Sequence, residues 1–204
     1  TKLANTNFAW TPSAEQLAAA NVVRLAGRLG CDDFAALQRV SIDEPDRFWR
    51  AVRDDLGIPL TRDWDAVCDD ARGIEWTTWF SGAQLNLATA CVHRWAQERA
   101  AEEAAVWLAE DGARASMSWG ELSREVTRFA EALVGLGVGE GDAVGMYLHM
   151  SPQVAVVSHA CAHIGAIQVP IFSGFAAPAI AARLADAGAK VLVTADATLR
   201  RGAT

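Results

Sequence analysis

Two adjacent guanidiniums, Arg200 and Arg201, followed by Gly202, are the residues of this sequence best suited to hold an anion. Arginine presents a planar fork of donors that matches two phosphate oxygens at once. The pair falls just past an apolar run at 191–195 that reads as a parallel strand, and open α/β sheets bind ligands at that carboxyl edge. His159 and His163 stand four apart, the spacing of two metal ligands on one helix face. No Asp or Glu in the same helical segment completes a site, so they read as ordinary side chains at a helix–sheet boundary. Cys161 and His163, two residues apart, fall on opposed helix faces; Cys91 beside His93 makes no better case for a thiol–imidazole dyad. No serine occupies a Gly-x-Ser-x-Gly elbow. Gly135, Gly137, Gly139 and Gly141 follow a helical segment and precede a strand. A phosphate cradle needs the reverse order, with a helix N-terminus facing the anion, so these glycines read as a helix-to-strand turn.

Lysine is nearly absent: only Lys2 and Lys190 occur, against sixteen arginines. No Ser/Thr/Gly-rich loop ends in lysine, and Lys190 heads a strand, where it reads as a sheet-end residue. The net charge of −7 is concentrated forward. Residues 32–75 hold twelve acidic and six basic side chains, whereas 113–204 hold seven of each. An acidic front and a neutral back exclude a nucleic-acid partner, which requires a basic face. The apolar runs are short and interrupted, so no membrane span is expected. The four cysteines form no CxxC pair, and with no leader-like segment at the start they are expected to be reduced thiols of a cytoplasmic protein. Six of the eight tryptophans lie in the first half, among acidic rather than basic neighbours. That favours core packing over a stacking platform for single strands.

The elements that position these residues change character near residue 100. The front reads as helices. One is opened by Thr11-Pro12-Ser13, with Pro12 in its first turn, and runs to Gly30. Another starts at a Ser41/Glu44 capping box, carries Phe48, Trp49, Val52 and Leu56, and ends at Gly57-Ile58-Pro59. Residues 61–78 show no period and read as irregular, and 85–97 as helix. Then 104–109 and 115–119 flank Glu110-Asp111-Gly112, a hairpin signal. Ser118 and Glu121 form a capping box before an amphipathic helix. Apolar runs at 143–148, 166–172 and 191–195 follow, separated by helical segments. Strands alternating with helices at that spacing predict βαβ crossovers and a parallel sheet covered on both faces. Pro170 belongs on an edge or at a bulge of such a sheet. The fold class is therefore α/β: an N-terminal helical segment over 1–100, then an incomplete parallel βαβ sheet over 101–204. Three strands are few for a finished sheet, and the chain reads as truncated.

Several stretches together resemble one family. Trp79-Phe80-Ser81-Gly82-Ala83-Gln84-Leu85-Asn86 is similar to a signature near the start of acetyl-CoA synthetases. Ser118-Trp119-Gly120-Glu121-Leu122 and Gly137-Val138-x-x-Gly141-Asp142-x-Val144 resemble the opening of the adenylate-forming α/β domain. The segments 160–166, 172–175, Arg183-Leu184-x-Asp186 and Val193-Thr194-Ala195-Asp196 follow in the family's order.

The resemblance implies the N-terminal part of an AMP-forming acyl-CoA synthetase. The parent would activate a small carboxylic acid with ATP and Mg2+ to an acyl-adenylate and pass the acyl group to coenzyme A. In such enzymes an arg–x–gly–arg motif helps hold the nucleotide end of coenzyme A. Arg200 matches its first arginine, Ala203 stands at the second, and Arg201 is the substitute candidate. The resemblance places the catalytic lysine and the adenylation loop downstream, so this stretch alone is expected to be inactive and to bind none of these cofactors tightly. An open strand edge is expected to make it self-associate. The competing reading is a self-contained, non-enzymatic α/β nucleotide-binding or interaction module.

Overall fold

Ser13 opens the first helix by a reciprocal pair of bonds: its hydroxyl accepts the Gln16 backbone N–H at 3.2 Å while the Gln16 side-chain Oε1 accepts the Ser13 N–H at 2.8 Å. The cap is therefore Ser13, and Pro12 lies outside the helix rather than in its first turn. This computed structural model describes residues 10–109 and 112–197. They form two compact units, the first ending at Gln84 and the second starting at Leu85.

In the first unit the single helix expected up to Gly30 is two, α1 (Ala14–Ala19) and α2 (Asn21–Arg28), because Ala20 takes an extended conformation. An alanine junction carries no glycine or proline signal, which is why periodicity ran through it. α3 (Phe34–Asp43) is capped by Asp33 and α4 (Pro45–Leu56) starts directly after it. The Ser41/Glu44 capping box does not form. Ser41 lies inside α3 with its hydroxyl donating to the Gln38 carbonyl, and Glu44 is itself the cap. The cause is Pro45, which disfavours helical geometry in the residue before it and is well suited to a first helical position. Gly57 ends α4 in the left-handed region, as its position predicted.

The segment read as irregular, 61–78, contains β1 (Ala66–Asp69), which pairs antiparallel with β2 (Thr78–Ser81) at its end, joined across one 3-10 turn at Ile74–Trp76. Four-residue strands are too short to show alternation. Phe80 holds a positive φ of 52° within β2, and its ring meets Trp49 and Trp64 edge-on at 5.6 and 5.4 Å. Trp64 is buried, donates its indole N–H to Asp46 and lies under the guanidiniums of Arg50 and Arg53. Core packing thus describes Trp64. Trp10, Trp76 and Trp79 are exposed instead, against the general expectation.

The second unit begins with a helical stretch over 87–98 that passes through a π-helical segment, Thr89–His93, into α5 (Arg94–Glu98). The expected hairpin is present as β3 (Glu103–Leu108) and β4 (Arg114–Ser118). At Ser118 both halves of the capping box are made, opening α6 (Trp119–Gly135), whose Leu122, Val126, Ala130 and Leu133 are buried. Ser118→Ala removes an N-cap acceptor and is expected to lower stability by about 1 kcal/mol, read as a shifted urea midpoint with unchanged slope.

The glycine run then turns the chain into β5 (Ala143–Tyr147), with Gly137 at φ 82°. α7 (Pro152–His163), β6 (Ile167–Pro170), α8 (Ala177–Asp186) and β7 (Val191–Thr194) follow. The three strands pair in the order β6-β5-β7, all parallel, with β5 central. Pro170 closes the edge strand β6, where a missing ladder donor is tolerated. On one face Val144 and Met146 pack with Ala130 and Leu133 of α6 and Val157, Ala160 and Cys161 of α7. The other face is only partly covered. Gly145 lies against Leu184 of α8, while Leu192 of β7 stays 42% exposed. Coverage of both faces therefore holds for the central strand and not for β7, since α8 is the one helix of this unit seen on that side among the described residues.

Candidate ligand-facing edge of the parallel sheet

The carboxyl ends of β5, β6 and β7 form the edge at which a ligand is expected. Tyr147, last residue of β5, donates its hydroxyl to the carbonyl oxygens of Ser173 at 3.0 Å and Phe175 at 3.3 Å. Those bonds anchor the turn that follows β6, itself closed by the Phe175 N–H donating to the Phe172 carbonyl. The two phenyl rings stand edge to face, 5.8 Å between centroids, and Phe172 is 64% exposed. On α8, Arg183 places its guanidinium carbon 4.1 Å from the Phe175 ring centroid. The edge therefore offers an exposed aromatic face with a cation set against its neighbour. Such a surface can stack a planar base and attract an anion.

Arg200 and Arg201, the residues singled out for a phosphate, lie outside the described residues. The described chain at this edge runs through Thr194 and Asp196, whose carboxylate caps the Ala197 N–H at 2.9 Å. Lys190 sits at the opposite, amino edge. Its ammonium pairs with Asp142 at 2.7 Å and its backbone N–H donates to the Ala143 carbonyl. The hydrogen bond from Lys190, helped by one from the Gly139 N–H, holds the Asp142 carboxyl below the usual carboxylate range. This lysine fastens the start of β7 to the start of β5.

His163 lies toward that amino edge too, because it ends α7 just before β6 begins. His159 has Nδ1 2.8 Å from the Ala155 carbonyl oxygen, one turn back along its own helix. His163 instead meets His93, at 3.0 Å between ring nitrogens. Among the described residues no group of three or more His, Cys, Asp or Glu is arranged to hold a metal ion. The four cysteines are free thiols; Cys161 is buried, which pushes its thiol above the ordinary value, and Cys91 is exposed. Among the described residues no helix is long and apolar enough to cross a membrane.

Asn86 is a positioning residue whose role was not legible beforehand. Its carboxamide N–H groups reach the carbonyls of Ala162 and His163 at 3.2 and 3.0 Å, and its oxygen accepts the Thr89 N–H at 3.1 Å. One side chain thus closes the end of α7 and caps the start of the helix over 87–98.

Residues 92–203, more than half of the chain, match the family of AMP-binding enzymes. The chain belongs to that family. Residues 34–91 match the acetyl-coenzyme A synthetase N-terminus, so the Trp79–Asn86 signature falls in one match and the α/β segments in the next. An acetyl-coenzyme A synthetase of Deinococcus radiodurans is 38% identical over 196 residues, covering 94% of this chain and 28% of the relative. A 3-hydroxypropionyl-coenzyme A synthetase of Sulfurisphaera tokodaii is 39% identical over 167 residues, covering 81% and 25%. Among solved structures, the acetoacetyl-CoA synthetase from Streptomyces lividans superposes with a TM-score of 0.82 at 33% identity, covering 91% of this chain and 29% of that one. This member of the AMP-binding family therefore spans little more than a quarter of the length of these relatives. Helices followed by a parallel three-stranded sheet agree with the fold class read from sequence.

Proposed function

We propose that this chain is the N-terminal part of an acyl-CoA synthetase that activates a small carboxylic acid with ATP, as an acyl-adenylate, and transfers the acyl group to coenzyme A. The observation that carries the proposal is the ordered pair of matches, an acetyl-coenzyme A synthetase N-terminus at 34–91 followed by an AMP-binding enzyme at 92–203. In this reading residues 1–100 are the helical N-terminal extension and 101–204 the first part of the α/β domain.

The donor set of this chain suits part of that chemistry and not the rest. Stabilising charge at a transferring phosphoryl centre calls for a preorganised cation. The only lysine of the α/β region, Lys190, is occupied by Asp142 at the amino edge. ATP and Mg2+ are accordingly assigned to parts of the enzyme beyond these residues, and the chain alone is expected to be inert, to bind none of the cofactors tightly and to self-associate. Coenzyme A is different. The exposed Phe172 ring and the Arg183 guanidinium lie at the carboxyl edge of the sheet, and Arg200 and Arg201 follow the last described residue, Ala197, closely in sequence. Arginine forks pair with phosphate, and an aromatic face stacks a base. We assign Arg200 and Arg201 to the nucleotide end of coenzyme A, and the enzyme to the cytoplasm.

The test is made on the longer protein with a panel of short carboxylic acids. Acid-dependent pyrophosphate release and coenzyme A-dependent AMP formation are expected, with neither from the 204-residue chain. Arg200→Ala in that enzyme is expected to raise KM for coenzyme A about tenfold, the loss of one charge-assisted pair, with KM for ATP unchanged. Pyrophosphate release independent of any carboxylate, or a tight nucleotide complex with the 204-residue chain, would overturn the proposal.

A further inference from the structure

Three polar side chains from three helical elements meet around His93, away from the ligand-facing edge. His93 ends the π-helical segment, Ser123 sits in α6 and His163 ends α7. A π-helical turn is a rare departure from regular geometry that frequently marks a functional position. Both ring nitrogens of His93 are engaged: Nδ1 lies 2.8 Å from the Ser123 hydroxyl and Nε2 lies 3.0 Å from Nδ1 of His163. The two rings are half-buried and edge to face, 5.0 Å between centroids.

Between two nitrogens at that separation there is room for one hydrogen. With both imidazoles neutral, the Ser123 hydroxyl donates to His93 Nδ1, and His93 Nε2–H donates to His163 Nδ1. One added proton reverses the chain. His163 Nδ1–H then donates to His93 Nε2, and His93 Nδ1–H donates to the Ser123 oxygen. Both arrangements satisfy every atom in the chain. A second proton leaves two N–H groups pointing at each other and two positive rings in contact. We propose that His93, His163 and Ser123 form a proton-operated clasp between the helix over 87–98 and α7, closed when the neutral pair of rings has taken up no proton or one, and open when it has taken up two.

The surroundings favour that behaviour. A third imidazole, His159 of α7, adds its charge to the repulsion on His93, and α5 begins with a further cation, the Arg94 guanidinium over the Trp95 ring. From α6 comes only the Ser123 hydroxyl, whose backbone carbonyl also accepts the Thr127 hydroxyl. Among the described residues no carboxylate bonds to either ring. Burial first, then His163 and His159, pushes His93 below the ordinary imidazole value. A depressed value in the folded state means that the neutral ring is the one the fold prefers. The clasp therefore contributes fully above about pH 6.5, the ordinary imidazole value, and its contribution is lost as pH falls through the depressed one. Asn86 does not titrate, and its bonds to the Ala162 and His163 carbonyls do not depend on the proton count of the rings.

Hydrogen exchange followed by mass spectrometry on the full chain tests this, with rates corrected for the intrinsic effect of pH. Segments 87–98 and 152–163 are expected to lose about tenfold in protection between pH 7 and pH 5 (one decade, or 1.4 kcal/mol). His163→Asn is expected to flatten that dependence while leaving the rest of the chain unchanged. Exchange at the imidazole C2 position, measured on the unaltered protein, is expected to give His93 a midpoint below the ordinary imidazole value. A His93 midpoint at or above the ordinary imidazole value overturns the clasp, as does a pH dependence of the same size in His163→Asn.

Discussion

Gly145→Val is expected to abolish cooperative folding of the second unit, seen as loss of a thermal transition and of soluble protein. Gly145 is the middle residue of β5, paired with Val169 on one side and Leu192 on the other. A Cβ at this position would overlap the Cδ2 of Leu184 from α8 and come within 3.2 Å of the Leu192 Cδ1. Leu192 is 42% exposed and can swing toward solvent, whereas the half-buried Leu184 must change rotamer or move with α8. Overpacking by one methyl costs about 1–3 kcal/mol, so Gly145→Ala is expected to fold with a lowered midpoint. Valine adds two further carbons on a strand with neighbours on both sides and exceeds what a marginally stable domain tolerates. The argument is specific enough to be reversed: Leu184→Ala in the Gly145→Ala background makes room, and the pair is expected to be less destabilised than the sum of the two single changes. Strict additivity would show that the Leu184 contact is not the reason for glycine.

Asn86→Leu is expected to cost about 3 kcal/mol, since three bonds of roughly 1 kcal/mol each are lost. The change keeps size and removes polarity, leaving the last carbonyls of α7 and the first N–H of the next helix without this partner. Asn86→Asp separates the two halves of the role. A carboxylate still accepts from the Thr89 N–H, but it faces the Ala162 and His163 carbonyl oxygens with no donor. It is expected to be at least as damaging as leucine in a urea titration. If aspartate proved as stable as asparagine, the capping of Thr89 would be the whole function and the link to α7 incidental.

What could be read beforehand followed the range over which each feature is encoded. β5, β6 and β7 were legible because each is a short apolar run between helical segments, and a buried parallel strand needs little more than that. Ser118 and Glu121 were legible because a capping box is local, three residues long and chemically specific. The same reasoning failed at Ser41 and Glu44, where Pro45 imposed a different boundary. β1 and β2 were hidden by their length and by a left-handed Phe80 that no sequence rule anticipates. Near the ligand-facing edge, sequence singled out as ligand contacts Arg200 and Arg201, which lie outside the described residues. The Tyr147 tether and the Arg183–Phe175 contact depend on pairs 26 to 28 residues apart or on adjacent elements in space. Asn86 stood within a recognised signature, yet its bonds reach 76 and 77 residues along the chain. His93 and His163, seventy residues apart, could be weighed only one at a time until the fold brought them together.

The placement of β5 between two later strands sets a schedule for synthesis. A ribosome delivers Ala143–Tyr147 well before Ile167–Pro170, and both before Val191–Thr194. The most buried strand of the sheet thus emerges first and waits, without a partner on either flank, while its neighbours are translated. During that interval α6, already complete, is the upstream element that shares a core with Val144 and Met146 among the described residues and can shield them. Non-local pairing of this kind is slow and leaves apolar chain open to wrong partners. The nascent polypeptide should accordingly be most dependent on holding chaperones from the moment Tyr147 clears the exit tunnel until Thr194 does.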